Sequence, residues 1–223
     1  MTDMTADATI SPQSTGRTGR TGRTGRTGRT GQCRRATKET SIEVDIDLDG
    51  TGTTDISTGI PFYDHMLDQI GRHGGFDLRV QAVGDLHIDT HHTVEDVAIA
   101  LGEAFAEALG DKAGVRRFAS GRYPLDEALI DVALDLSGRP WVEWHVPMPE
   151  SLPLGTPAFD PQLAEHAISS FATAANITLH VELVRGRNVH HIIEATFKGL
   201  ARTLRDAVRI DDAGGVPSTK GVL

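Results

Sequence analysis

The chain writes one unusual arrangement twice. DTHHTVEDV, residues 89–97, places His91 and His92 three residues ahead of Glu95, and NVHHIIEAT, residues 188–196, does the same with His190, His191 and Glu194. Each pair is preceded by another histidine, His65 or His166, at separations that differ by only two residues. The surrounding patterns repeat in the same order. SIEVDIDLDG alternates apolar and polar residues as a half-buried strand, and FYDHMLDQIGRHG has Phe62, Met66, Leu67 and Ile70 at helical spacing. FDLRVQAVGDLHI alternates again, as one strand or a bent pair. His91 then opens a helix with an apolar stripe of Val94, Val97, Leu101, Phe105 and Ala108, closed by Gly110. Past residue 124 the same grammar returns: a strand at 129–136, a Pro-rich loop, the helix HAISSFATAANI, the strand ITLHVELV, and a helix opened by His190. This predicts an α+β fold with an internal duplication, half 1 about 35–124 and half 2 about 125–223. Each half is a small mixed sheet with helices on one face, and the helices of both halves pack between the two sheets.

Six of the ten histidines fall in the two matching sets. A lone histidine is usually a satisfied core residue; two sets in register, each with a glutamate at the same offset, point to metal binding. His91 and Glu95 are four apart, as are His190 and Glu194, so each couple shares one helix face. His92 and His191 project about 100° away from those faces. The economical solution is two ions, with each half lending a histidine to the other half's site or to another subunit's. Mixed imidazole and carboxylate ligation without thiolate suits Mn²⁺, Fe²⁺, Co²⁺ or Zn²⁺, with Mn²⁺ favoured if six-coordinate. Asp89 and Asp96 flank the first pair as candidate partners of the imidazoles, Asp96 being equally readable as a solvated helix-start charge.

The formal charge of −9 conceals a split, because residues 1–35 carry seven Lys/Arg and two Asp/Glu, leaving the remainder near −14. A body so acidic repels phosphate backbones, which argues against nucleic acid as a partner. No stretch is long and apolar enough to span a bilayer, so no membrane partner is expected. Cys33 is the single cysteine, so no internal disulfide forms, as suits a cytoplasmic protein. From Thr15 the sequence runs TGR five times and then TGQ. Residues 1–34 therefore read as a disordered low-complexity tail. The run lacks the proline and length of collagen, and the apolar helical face of a transit peptide.

DLDGT, residues 47–51, matches the nucleophile loop of aspartyl-phosphate phosphatases. That loop ends a buried parallel strand, whereas the strand here alternates with charges and has one wet face. The following TGTTDISTG reads as a hairpin rather than as a loop leading to a helix.

KETSIEVDIDLDGTG, GIPFYDHMLDQIGRHGGFDL, GDLHIDTHHTVEDVAIALGEA, DKAGVRRFA, DLSGRP, HHIIEATFKGLARTLRDA and the terminal GVPSTKGVL together resemble imidazoleglycerol-phosphate dehydratases, over nearly the whole chain from Arg35 to Leu223. The match is looser at HAISSFATAA, and the TGR tail lies outside it. The resemblance implies loss of water from imidazole glycerol phosphate to give imidazole acetol phosphate, in histidine biosynthesis. It also implies two Mn²⁺ per active site and a homo-oligomer of twenty-four subunits built from trimers, with sites at the subunit interfaces. The chemistry suits the ligand set. The carbon-bound proton has no adjacent carbonyl, so a cation on each ring nitrogen is needed to favour the imidazolate that expels the hydroxyl.

By the same resemblance His65, His91, His92, Glu95, His166, His190, His191 and Glu194 are metal ligands. Glu39, His65, Glu95 and Glu194 are assigned to catalysis, Glu39 as an acid/base. Glu39, His73 and Lys198 match substrate-proximal positions. Arg117, Arg139, Ser218 and Lys220 match phosphate binders; Arg116 is interchangeable with Arg117 on spacing alone, and the terminal PSTKG has the composition of a lid. A di-metal hydrolase and a non-catalytic protein glued together by metal are the competing classes.

Overall fold

The computed structural model describes residues 28–211 and 215–221. The chain runs β1 (Thr30–Ala36), β2 (Thr40–Asp47), β3 (Thr54–Ser57), α1 (Pro61–Gly74), β4 (Asp77–Gly84), α2 (His91–Leu109), β5 (Phe118–Leu125), β6 (Ala128–Asp135), β7 (Trp141–His145), α3 (Leu163–Ala174), β8 (Thr178–Arg185) and α4 (Val189–Ala207). Two four-stranded sheets have the orders β1-β2-β4-β3 and β5-β6-β8-β7, the same path traced twice. In each sheet the central pairings are antiparallel and the last edge strand runs parallel to its neighbour.

Period-two patterning builds the inner faces. Ile42, Val44 and Ile46 of β2 are buried and stand opposite Ala82, Val80 and Leu78 of β4, while Glu43 and Asp45 point outward to Arg34 and Arg79. In the second sheet Ile130, Val132 and Leu134 of β6 oppose Leu183, Val181 and Leu179 of β8. Helix α2 lies on β1 and β2, and α4 lies on β5 and β6; α1 packs against α4 and α3 against α2. The four helices thus form the filling between the sheets, and a single apolar core runs through both halves. Gly102 of α2 is where the helix pairs come closest, since a Cβ there would sit 2.5 Å from the Phe171 carbonyl of α3.

Four expectations change. The first strand begins at Thr30, not near Arg35, and the last of the tail's repeats takes part in the fold. Gly31 fills a position where a Cβ would lie 2.0 Å from the Ala104 carbonyl of α2, and Cys33 is buried beside it. Arg29 forks onto Asp49 at 2.6 and 3.1 Å and donates to the Val208 carbonyl past the end of α4. Composition cannot tell a packing glycine from a linker glycine; the rest of the expected disordered tail, residues 1–27, lies outside the described residues. TGTTDISTG forms no hairpin: β3 pairs parallel to β4 and leads directly into α1, whose first residue is Pro61. The seam between the halves falls before β5 rather than at residue 124, because β5 belongs to the second sheet. Lastly, β5 and β7 are strands that the pattern did not disclose. Both are sheet edges, where Pro124 costs no ladder bond and a half-wet face blurs the alternation.

Candidate metal centre

The helix openings bring the repeated histidines together across the halves. In one cluster, His65 of α1 joins His190 and Glu194 of α4, with Glu194 Oε2 3.4 Å from His65 Nε2 and 3.0 Å from His190 Nε2. In the other, His166 of α3 joins His91 and Glu95 of α2, with His166 Nε2 3.4 Å from Glu95 Oε1 and the two imidazole centroids 4.5 Å apart. The packing of α1 on α4 and of α3 on α2 makes this possible, so the upstream histidine of each half serves the other half's helix. Phe62 sets its ring edge against His190 at 5.2 Å, fixing that imidazole from the apolar side.

These groups fit a divalent ion. The three ligand atoms of each cluster lie within 4.8 Å of one another. An ion bound at about 2.2 Å holds neighbouring ligand atoms about 3 Å apart, the observed spacing. His166 Nε2 is buried and has no hydrogen-bond partner among the described residues, although Glu95 Oε1 lies 3.4 Å away. An orphaned imidazole nitrogen aimed at a carboxylate too distant for a good bond suits an electrophile between them.

The Glu194 carboxylate is favoured as an anion. Burial alone would raise the Glu194 carboxyl, but hydrogen bonds from Lys198 and His190 hold it below the ordinary glutamate range. Lys198 Nζ meets Glu194 Oε1 at 2.6 Å, leaving Oε2 for the two imidazoles. His73, in the last turn of α1, is lowered by burial and by the charges of Lys198 and Arg202. His73 and Lys198 therefore gather beside the first cluster.

His92 and His191 stand apart from both clusters, their rings turned by 85° from those of His91 and His190. His92 Nδ1 is 3.0 Å from Asp85 Oδ2 and 3.7 Å from Glu39 Oε2, and His191 Nδ1 is 2.8 Å from Glu127 Oε2. Glu39, Asp85 and His92 could themselves be read as a metal-holding trio. The 3.0 Å bond from His92 to Asp85 makes a hydrogen-bonded acid–imidazole pair the simpler description.

Asp85 and Glu127 are the site residues that sequence reading missed. The duplication held a signal for one of them: Glu127 stands immediately before β6, as Glu39 stands immediately before β2. The flanking acids chosen instead do other work. Asp89 Oδ1 accepts from the His91 backbone N–H at 2.8 Å, and buried Asp96 accepts from Arg35 Nε at 2.8 Å and from the Thr40 hydroxyl. Neither hydrogen-bonds an imidazole, and Asp96 is no solvated charge, because α2 turns it onto the β1–β2 connection.

The expected phosphate binders gather at the opposite end of the chain's own helices. Arg117 donates its N–H to the Ala207 carbonyl at the end of α4, some 25 Å from His190 at 1.5 Å per helical residue. Its guanidinium forks onto Asp135 at 2.6 and 2.9 Å and donates to the Pro217 carbonyl at 2.7 Å, which brings Ser218 alongside. Ser218 Oγ accepts from the Lys220 N–H at 3.2 Å. Arg139 is exposed after β6 and Lys220 is exposed on the terminal segment; Arg116 is exposed, with no side-chain partner among the described residues. Within one chain the structure does not unite these residues with the metal clusters.

The fold and site together define a class: a duplicated α+β enzyme scaffold whose halves exchange histidines to build imidazole–carboxylate clusters that could hold metal ions. The family model for imidazoleglycerol-phosphate dehydratase matches residues 58–204. The imidazoleglycerol-phosphate dehydratase of Acidothermus cellulolyticus is 58% identical over 190 residues, 85% of this chain and 91% of the relative. The chloroplastic enzyme of Pisum sativum is 54% identical over 194 residues, 86% of this chain and 68% of the relative. Among solved structures, the Pyrococcus furiosus dehydratase in complex with (S)-C348 superposes with a TM-score of 0.73 at 37% identity, covering 85% of this chain and 99% of that one. The Staphylococcus aureus dehydratase gives 0.73 at 33% identity, covering 82% and 99%. The chain belongs to the imidazoleglycerol-phosphate dehydratase family, hydro-lyases of histidine biosynthesis.

Proposed function

We propose that this chain dehydrates imidazole glycerol phosphate to imidazole acetol phosphate with two Mn²⁺ per active site, in active sites completed between subunits of a cytoplasmic homo-oligomer. The observation that carries this reading is the pair of cross-half clusters, His65–His190–Glu194 and His91–Glu95–His166, each with two imidazoles and one carboxylate. Each cluster lacks one imidazole of the set of three, and each helix opening holds one unused histidine, His92 or His191. Each of these histidines stands outside both clusters and stays partly exposed, as a second copy needs to complete the ligand set. The 25 Å between the clusters and the Arg117 end of α4 supports the same conclusion, since a small phosphorylated substrate cannot reach both within one chain. An assembly of trimers into twenty-four subunits is the closed arrangement that the family resemblance suggests. No helix among the described residues is long and apolar enough to cross a membrane.

His65, His190 and Glu194 would hold one divalent ion and His91, Glu95 and His166 the other, and the ions would supply Lewis acidity toward the substrate's imidazole. The side chains do the rest. Glu194 and Glu95 each keep a carboxylate oxygen toward the imidazoles, Glu194 being held from behind by Lys198. Glu39, half exposed and 3.7 Å from His92, exchanges the carbon-bound proton. His73 and Lys198 line the substrate's approach to the first cluster. Arg117, Arg139, Ser218 and Lys220 of a neighbouring copy clamp the phosphate, the Asp135 fork holding Arg117 in place. The charged phosphate clamp also suits the acidic body, which offers few other cations.

His92→Ala and His191→Ala are each expected to abolish formation of imidazole acetol phosphate and to lower bound manganese. Full activity after chelation and desalting would falsify the metal-dependent reading. A di-metal hydrolase would instead release inorganic phosphate from the same substrate, and a metal-glued structural protein would change size with metal and release no water.

A further inference from the structure

We propose that Asp85 and Glu127 are positioning residues that hold His92 and His191 by Nδ1, and that their different origins in the two halves are what leave Glu39 available to the substrate. This rests on the metal-dependent dehydratase reading above and adds roles for two residues.

The duplication makes the comparison sharp. Glu39 precedes β2 and Glu127 precedes β6, strands in the same place of the two sheets. His92 and His191 are likewise counterparts. Yet the imidazole contacts differ. Glu127 Oε2 takes His191 Nδ1 at 2.8 Å, while its Oε1 accepts the backbone N–H groups of Asn188 at 2.8 Å and Arg187 at 3.3 Å. Its carboxylate is thus fixed on both oxygens. Glu39 Oε2 stays 3.7 Å from His92 Nδ1 and accepts no hydrogen bond from any described residue. Asp85, immediately after β4, has taken that nitrogen at 3.0 Å.

The second half has no equivalent of Asp85. The residue after β8 is Gly186, where a Cβ would sit 2.8 Å from Ile192 Cγ1. With no acid possible there without moving Ile192, Glu127 is the group left to hold His191. Asp85 therefore relieves Glu39 of the duty its counterpart performs. In both halves a carboxylate on Nδ1 fixes the tautomer with a bare Nε2, the nitrogen that faces away and is free to ligate. Among the described residues no hydrogen bond occupies that nitrogen in the second half: exposed Asp126 lies 3.9 Å from His191 Nε2, beyond hydrogen bonding. A reaction that removes one proton from one side of the substrate needs such a break in the symmetry, since two equivalent halves would offer two equivalent acids.

The test uses the full assembled enzyme, with Mn²⁺ as the probe, in Glu127→Ala, Glu127→Gln, Asp85→Ala and Asp85→Asn. Mn²⁺ affinity is read by paramagnetic resonance titration, and kcat and KM at saturating Mn²⁺. Each alanine variant is expected to weaken one of the two ions by about 10- to 100-fold, and each amide variant, which keeps an acceptor oxygen, to retain most of the affinity. Saturating Mn²⁺ restores kcat in Glu127→Ala. In Asp85→Ala kcat stays down by about tenfold or more with little change in KM, because Glu39 is drawn onto His92. Wild-type Mn²⁺ affinity in both alanine variants, or full recovery of kcat by Asp85→Ala at saturating Mn²⁺, overturns the proposal. If an alanine variant fails to assemble, the amide variants decide: retained affinity supports the proposal and a tenfold loss overturns it. A wild-type enzyme that binds no Mn²⁺ overturns the underlying reading instead, which separates the two failures.

Discussion

Gly102→Ala tests whether the packing of α2 on α3 is what sets the second metal cluster. The added Cβ would lie 2.5 Å from the Phe171 carbonyl, 2.7 Å from Ala174 Cβ and 3.0 Å from the Ala175 nitrogen. Carbon atoms pack best at about 3.5–4.0 Å, so the helices must part by about 1 Å. Overpacking costs about 1–3 kcal/mol; two of the three close atoms are backbone and cannot swing aside, so the upper part, about 2–3 kcal/mol, applies, and the better helix propensity of alanine returns about 1 kcal/mol. The net is a destabilisation of about 1–2 kcal/mol, which for a domain of this size lowers Tm by about 2–8 °C. His166 rides on α3 and His91 with Glu95 on α2, so the same separation stretches the 4.5 Å contact between the imidazoles. Scanning calorimetry of the metal-free protein should show the drop, and Mn²⁺ titration should show one weakened ion. An unchanged or raised Tm would refute the claim that this crossing is closed to a single methyl group.

Asp96→Ala removes the acceptor shared by Arg35 and the Thr40 hydroxyl, and should cost about 2–3 kcal/mol in chemical denaturation, since hydrogen bonds to a charged group are lost; a change below about 0.5 kcal/mol would contradict a structural role. Asp77 accepts the N–H groups of Thr51 and Thr53, and although burial opposes it, these bonds hold its carboxyl below the ordinary value of 3.8. A depressed folded value means that the contribution is complete above pH 3.8 and fades as the pH falls through the lower folded value. The stability gap between wild type and Asp77→Ala should therefore be flat near neutrality and narrow below that point; a gap that narrows on the alkaline side would contradict the sign. Burial, reinforced by Glu103, pushes the Cys33 thiol up to about 11, so alkylation by iodoacetamide at pH 8 should be far slower than for a free thiol. Rapid labelling of the folded protein would show that β1 is open.

The duplication was legible because His-His-x-x-Glu with an upstream histidine recurs in both halves at nearly the same spacing, and the apolar stripes around it follow fixed periods. The two-sheet architecture followed from it. Edges and connections were less legible. β3 was hidden because parallel pairing is decided by the α1 crossover rather than by the turn-like TGTTDISTG itself. β1 was hidden because Gly31 and Thr30 carry the composition of the tail while their role is contact with α2. At the site, residue type and spacing singled out the six side chains that gather in the two cross-half clusters, but not which histidine crosses to which helix; that depends on how α1 meets α4 and α3 meets α2. Asp96 and Asp89 were nearer in sequence to the histidines than Asp85 and Glu127, yet the latter two, just after β4 and just before β6, stand on the rings. Proximity along the chain misled where the ends of inner strands supplied the partner.

The most direct measurement is anomalous scattering at the manganese edge from crystals of the assembled enzyme grown with Mn²⁺ and an imidazole-bearing ligand. Peaks are expected at His65–His190–Glu194 and at His91–Glu95–His166, with Nε2 of a neighbouring copy's His92 or His191 completing each. Manganese held by other side chains, or peaks that leave His92 and His191 of every copy without an ion, would contradict it.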